Sequence, residues 1–138
     1  DIIITAGGKN VAPQKIENMM KTRKYISNCM VIGDKRKFLS AIIFIEKQEF
    51  SEFFTPWGVE PTIEVAELSR LPQVRKLIQH EIDEVNQNLS QFETIKKFII
   101  APHDISVESG HLTPSLKLKK KRLLEEFSEE IEKLYASP

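Results

Sequence analysis

A chain of 138 residues, 41% apolar and 29% charged, is long enough to bury one real core and has an ordinary globular composition. Lys plus Arg and Asp plus Glu balance at 20 each, so no global field points to nucleic acid or an anionic membrane. The single cysteine excludes an internal disulfide, no stretch approaches the ~20 apolar residues of a membrane span, and no signal-peptide pattern opens the chain.

Taken in chain order, Ile2–Thr5 and Lys9–Val11 flank Gly7-Gly8 and predict a short β-hairpin, whose glycines tolerate positive φ. Pro13 suits the first position of a helix that places Ile16, Met19 and Met20 on one face. Strands are expected over 26–33 and 38–45, joined by a turn at Gly33-Asp34-Lys35. The unbroken run Ala41–Ile45 implies burial on both faces of a small sheet. Phe50, Phe53, Phe54 and Trp57 suit a short helix ended by Pro56-Trp-Gly58, with another helical segment over 62–70. Pro72 starts an amphipathic helix carrying Val74, Leu77, Ile78, Ile82, Val85 and Leu89. A third sheet strand lies within 95–101, and 104–114 is loop. A last helix uses Leu123, Leu124, Phe127, Ile131 and Leu134. The expected class is α+β: a short N-terminal β-hairpin plus a small, mostly antiparallel three-stranded sheet covered by helices. No internal repeat is visible.

Two segments are chemically loaded. The Gly7-Gly8 turn is by itself an ordinary turn, although its bare backbone, flanked by Lys9 and Asn10, also permits close approach of a ligand. The segment from Gly110 to Arg122 runs from a polar loop into a helix whose start is basic: five of the six residues 117–122 are cationic. A helix N-terminus prefers acidic residues, so this breaks a local rule, as functional sites often do. Cys29 reads as a small buried apolar residue in a reducing, intracellular compartment. His80 and His103 show no partner pattern for metal or nucleophile activation, and His111 reads as an exposed loop histidine. No metal-ligand spacing is present, and no metal ligand is assigned.

Three stretches together resemble one family. Asp1-Ile-Ile-Ile-Thr-Ala-Gly-Gly-Lys-Asn-Val-Ala-Pro13, with Ile16-Glu17 behind it, resembles the hinge-proximal motif of the AMP-forming acyl-CoA synthetases, in the adenylate-forming ligase superfamily. Ile26-Ser-Asn-Cys-Met-Val-Ile-Gly-Asp-Lys-Arg-Lys-Phe-Leu-Ser40 is similar to a stretch of the long-chain and bubblegum-type members. Leu112-Thr-Pro-Ser-Leu-Lys-Leu-Lys119 resembles their final core motif, with Leu116 where short-chain relatives place glycine.

The resemblance implies the C-terminal mobile lid (1–138) of a long-chain fatty acid–CoA ligase, beginning just after the hinge, with the N-terminal ATP- and acyl-binding domain of the same polypeptide as its partner. The parent reaction would join fatty acid to ATP and then to CoA, releasing pyrophosphate and AMP. Lys117 corresponds to the adenylation lysine, whose ammonium would meet the carboxylate and α-phosphate. The hairpin at Ala6, Gly7, Gly8 and Lys9 would serve the CoA side. Magnesium is expected with ATP, bound outside this chain. The isolated domain is expected to be inactive, cytoplasmic and without nucleic-acid partners, its parent free to touch the inner membrane face peripherally. The alternative from another class is a stand-alone basic-patch module that binds RNA or anionic lipid through residues 117–122.

Overall fold

The first elements are two very short strands, β1 (Ile3–Ile4) and β2 (Asn10–Val11), paired antiparallel in the computed structural model, which describes residues 1–136. Helix α1 (Pro13–Lys21) follows at once, its proline at the first turn, where a missing N–H costs nothing. Strands β3 (Ile26–Ile32) and β4 (Leu39–Ile45) then form an antiparallel pair. A 3-10 turn (Lys47–Phe50) and helices α2 (Ser51–Trp57), α3 (Val65–Leu68) and α4 (Pro72–Asn86) lead to β5 (Ile95–Ile100). The chain closes with α5 (Lys120–Glu126) and α6 (Ser128–Ala136).

The expected α+β class, hairpin and three-stranded sheet are all present. The larger sheet has the order β3-β4-β5 and is mixed: β5 runs parallel to β4. The cause is the connection. Residues 46–94 form a long helical crossover, with length enough to return the chain to the sheet in the same direction, which a tight turn could not do.

Central β4 explains its own unbroken apolar run, because all seven of its residues are buried. Ala41, Ile43 and Ile45 join Cys29 and Val31 beneath α1 and α4, whose Ile16, Met20, Ile78 and Ile82 are fully buried. Ile42 and Phe44 face the other way with Met30 and Ile32, under Leu123, Phe127 and Ile131 of the last helices. The result is three layers. Alternation of side chains along each strand, with period two, divides the core between them.

Two helices differ from their expected spans. The segment over 62–70 contracts to the four residues of α3, because Pro72 holds Leu71 extended (φ −69°, ψ 132°) and leaves no room for a further turn. The final helix bends at Phe127, although the i to i−4 hydrogen bonds of Phe127 and Ile131 continue across the break. Leu124 is 42% exposed and leaves the expected apolar stripe. The far end of α6 is fixed by Tyr135, whose hydroxyl donates to the Phe38 carbonyl (2.9 Å), pairs with the buried Ser40 (2.8 Å) and stacks its ring on Phe38. Among the described residues no helix is long and apolar enough to cross a membrane.

Glu17 binds the layers together. Its carboxylate, 7% exposed, accepts the edge N–H of Val31 (2.8 Å) and pairs with Lys120 (2.9 Å), so α1, β3 and α5 meet on one side chain. Glu17→Leu leaves the Val31 N–H and the Lys120 ammonium without a partner. Since Lys120 keeps some water, a loss of about 2–3 kcal/mol is expected. Urea denaturation measures it, and adding Lys120→Met should recover part of the loss.

Candidate functional site

The hairpin at residues 5–9 closes itself. The Thr5 carbonyl accepts Gly8 N–H (2.9 Å), Thr5 N–H donates to the Lys9 carbonyl (3.0 Å), and the Thr5 hydroxyl accepts Lys9 N–H (3.1 Å). Gly8 occupies the left-handed region at φ 83°. This is a tight turn followed by a left-handed residue, the three-residue hairpin loop. Ala6 N–H donates to the Arg36 carbonyl and Lys35 N–H to the Ile4 carbonyl, which fastens the loop to the β3–β4 turn.

The same geometry recurs more than a hundred residues later. The Thr113 carbonyl accepts Leu116 N–H (2.8 Å), Thr113 N–H donates to the Lys117 carbonyl (2.8 Å), and the Thr113 hydroxyl accepts Lys117 N–H (3.1 Å). Leu116 takes the left-handed position at φ 65°, and Leu112 bridges Leu118 across the base. Both candidate loops are therefore pentapeptides that begin with threonine, turn through a left-handed fourth residue and end with lysine. The sequence shows no repeat because only Thr and Lys are shared. The spacing Thr-x-x-x-Lys, present at both places, was the available signal.

Lys117 is exposed at the end of its hairpin and lines a cleft beside Gln14, Glu17, Asn18 and Lys21 of α1. Among the described residues its ammonium has no carboxylate partner. Lys120 is spent on Glu17, and Lys119 and Lys121 stand at the start of α5, off the hairpin. Of the basic run, only Lys117 combines a self-closed loop with an unpaired charge. In the first hairpin Ala6, Gly7, Gly8 and Lys9 are all exposed, and Lys9 Nζ lies 5.5 Å from the Phe92 ring centre. Gly8 is explained by its φ. Gly7 is not: its φ is ordinary, and a Cβ there would meet nothing closer than Thr5 Oγ1 at 4.0 Å. Nothing in the fold demands glycine at position 7. Among the described residues no hydrogen bond or ion pair joins the two hairpins.

Cys29 is fully buried, as expected; burial and the nearby Glu17 charge push its thiol well up, so it is unreactive. His111 corrects the expectation of an exposed loop residue. It is 8% exposed, with Nδ1 against Ser109 Oγ (2.8 Å) and Nε2 against Glu126 Oε1 (2.7 Å). Its ring stacks on His103, 4.9 Å between centres, and His103 Nε2 contacts the other Glu126 oxygen. Burial opposes charge on His103, but the Asp104 carbonyl and the Glu126 carboxylate outweigh it and raise its pKa. Glu126 shifts the opposite way: burial favours its neutral form, and the two histidines more than offset this and lower it. Sequence reading missed the cluster because its members are 8 and 15 residues apart, with no local metal-like spacing.

The family model described as "AMP-binding enzyme C-terminal domain" matches residues 1–138. The chain belongs to this family. The resemblance to acyl-CoA synthetases is thereby shown, and the C-terminal domain is homologous to long-chain fatty-acid–CoA ligases. It is 35% identical over 135 residues to the long-chain-fatty-acid–CoA ligase FadD15 of Mycobacterium tuberculosis, covering 98% of this chain and 22% of that one. Against the ligase ACSBG2 of Rattus norvegicus it is 32% identical over 155 residues, covering 99% and 23%. The adenylation domain of a carboxylate reductase from Mycobacterium chelonae shares the fold, with a TM-score of 0.77 at 24% identity, over 99% of this chain and 19% of that one. The chain spans about a fifth of the length of the curated relatives it matches. These findings give no support to a stand-alone RNA- or lipid-binding module.

Leu116 is the strained member of the AMP-binding C-terminal domain's second hairpin. It is 64% exposed, so its side chain recovers little packing for the cost of the left-handed backbone. That conformation costs an L-residue about 1–2 kcal/mol, partly balanced by glycine's greater freedom when unfolded. Leu116→Gly is expected to stabilise the domain by about 0.5–1 kcal/mol, measured as a rise in the urea midpoint at unchanged m-value.

Proposed function

We propose that this domain is the mobile lid of an ATP-dependent long-chain fatty acid–CoA ligase, and that its two hairpins serve the two half-reactions. One observation carries the reading: two loops of the same geometry, each ending in lysine, stand on the surface of a domain homologous to such ligases.

Lys117 enters adenylation. Its ammonium is unpaired on a preshaped loop, so it is available where the fatty carboxylate meets the α-phosphate of ATP and negative oxygens crowd together. The fixed loop lowers the cost of placing that charge. The hairpin of Ala6, Gly7, Gly8 and Lys9 enters thioester formation, where the CoA thiol attacks the acyl-adenylate and AMP leaves. Gly7 supports this, since absence of a side chain there serves a close external approach and not the domain's own packing. The fatty acid and ATP pockets, with the magnesium that accompanies ATP, belong to the N-terminal domain of the parent chain. We place the enzyme in the cytoplasm. Its substrate's affinity for lipid fits peripheral contact at the inner membrane face.

A crossed experiment tests both assignments in the parent enzyme. Lys117→Ala should lower fatty-acid-dependent pyrophosphate exchange by about a hundredfold or more and spare CoA attack on supplied oleoyl-adenylate. Gly7→Leu, which the fold accommodates, should do the reverse. Equal effects of Lys117→Ala on the two half-reactions would remove the lysine from adenylation. The purified 138-residue domain should show no acyl-CoA synthesis, and detectable turnover by it would contradict the lid reading.

A further inference from the structure

Behind the second hairpin, three side chains with metal-ligating atoms converge from separate segments. His103 follows β5, His111 stands at the foot of the hairpin, and Glu126 ends α5. Their donor atoms all lie within 4.8 Å of one another. His111 Nε2 is 2.7 Å from Glu126 Oε1, and His103 Nε2 contacts Glu126 Oε2.

The hydrogen bonds on the far side of each ring decide what these nitrogens are. His103 Nδ1 lies 2.8 Å from the Asp104 carbonyl, which can only accept. One ring proton is therefore on Nδ1, and without a second the ring would aim its Nε2 lone pair at a carboxylate. Two lone pairs in contact require a cation between them, either a second ring proton or a metal ion. His111 can adopt the same form: the Ser109 hydroxyl donates to the Ser106 carbonyl (3.0 Å) and leaves its oxygen to accept His111 Nδ1–H. An imidazole whose second N–H is held by a carbonyl or hydroxyl oxygen is the usual outer-shell arrangement of a histidine ligand.

We propose that His103 Nε2, His111 Nε2 and one Glu126 oxygen bind a single zinc-class divalent cation, which staples the loop after β5 and the foot of the Thr113–Lys117 hairpin to α5. Two imidazoles and one carboxylate suit zinc, cobalt or nickel; calcium and magnesium prefer all-oxygen sets. Metal–ligand bonds of 2.0–2.2 Å place tetrahedral ligand atoms about 3.4 Å apart, so the Glu126 contacts need to open by roughly an ångström or less, and the two stacked imidazoles must turn until both ring planes pass through the ion. Three protein ligands leave a fourth position for water. The mechanical effect falls on the candidate site: the His111 carbonyl accepts Lys119 N–H (2.8 Å), and both His111 and Leu112 donate N–H to the Ser106 carbonyl. Residues 101–119 hold no helix or strand beyond the single Leu112–Leu118 bridge, and only Ala101, Ile105 and Leu118 tie them to the core, so a cross-link there adds to sparse packing.

Among the described residues a second grouping, His80, Glu81 and Glu84 on α4, is a weaker candidate, since Arg23 already holds both carboxylates. It supplies a control. The staple is independent of the roles given to Lys117 and Gly7, and its test does not require turnover.

The parent enzyme, without a polyhistidine tag and stripped with EDTA, is titrated with zinc chloride by calorimetry and with cobalt(II) by visible absorption. Wild type is compared with His103→Gln, Glu126→Gln and His80→Ala. The expected result is one equivalent of zinc bound by wild type and by His80→Ala, with a d–d cobalt spectrum of four-coordinate type. In His103→Gln and Glu126→Gln that equivalent should weaken by at least about tenfold. Circular dichroism checks that both variants fold; each changes a partly exposed side chain to one of similar size. Failure of wild type to take up zinc, or unchanged binding in Glu126→Gln, overturns the proposal.

Discussion

A buried carboxylate governs this domain. Glu17 is almost wholly removed from water, and a charge in that position persists only where its partners replace the lost hydration. The partners come from two other layers: the outward N–H of the edge strand at Val31 and the ammonium of Lys120. The pair therefore fixes where α5 starts. Because the second hairpin runs directly into α5, it also fixes where Lys117 stands relative to α1. The cationic start of α5, unfavourable by the helix dipole alone, has its explanation here: one of those charges is held by Glu17 and belongs to the architecture.

Around that anchor, the molecule divides labour between a stiff interior and two stiff loops. The sheet is packed on both faces, and α6 is locked by a tyrosine that bonds to the backbone of the β3–β4 connection. The hairpins add a closure of their own, although the first is also fastened to the β3–β4 turn through Ala6 and Lys35. Each draws its shape from its own threonine, which closes the turn with main chain and side chain together. Chemistry on such loops is preorganised, so less of the binding energy is consumed in ordering them.

Most of the fold was legible in the sequence because it rests on short-range rules. Pro13 and Pro72 start helices; the glycine pair makes a turn; and the run Ala41–Ile45 could only be a two-sided strand. What escaped was non-local. The parallel placement of β5 depends on where a long crossover lands, and the contraction of α3 depends on Pro72 fixing the residue before it. The candidate loops were legible as motifs, but their kinship was not: equivalence of Gly8 and Leu116 exists in φ, where glycine and leucine share no letter. The histidine cluster was equally hidden. His111 looked like a solvated loop residue, and only the packing of α5 over the loop buries it against Glu126.

The self-closing turns also bear on motion. A loop that borrows its shape from a neighbouring surface must be remade when that surface moves away. A loop that carries its own clasp travels unchanged. On the proposed reading, in which the two hairpins are offered in succession to one reaction centre, reorientation would reduce to turning one tool with a bit at each end. The cost of such an exchange would then lie in contacts broken and made at the domain boundary, with none of it spent on refolding the tips.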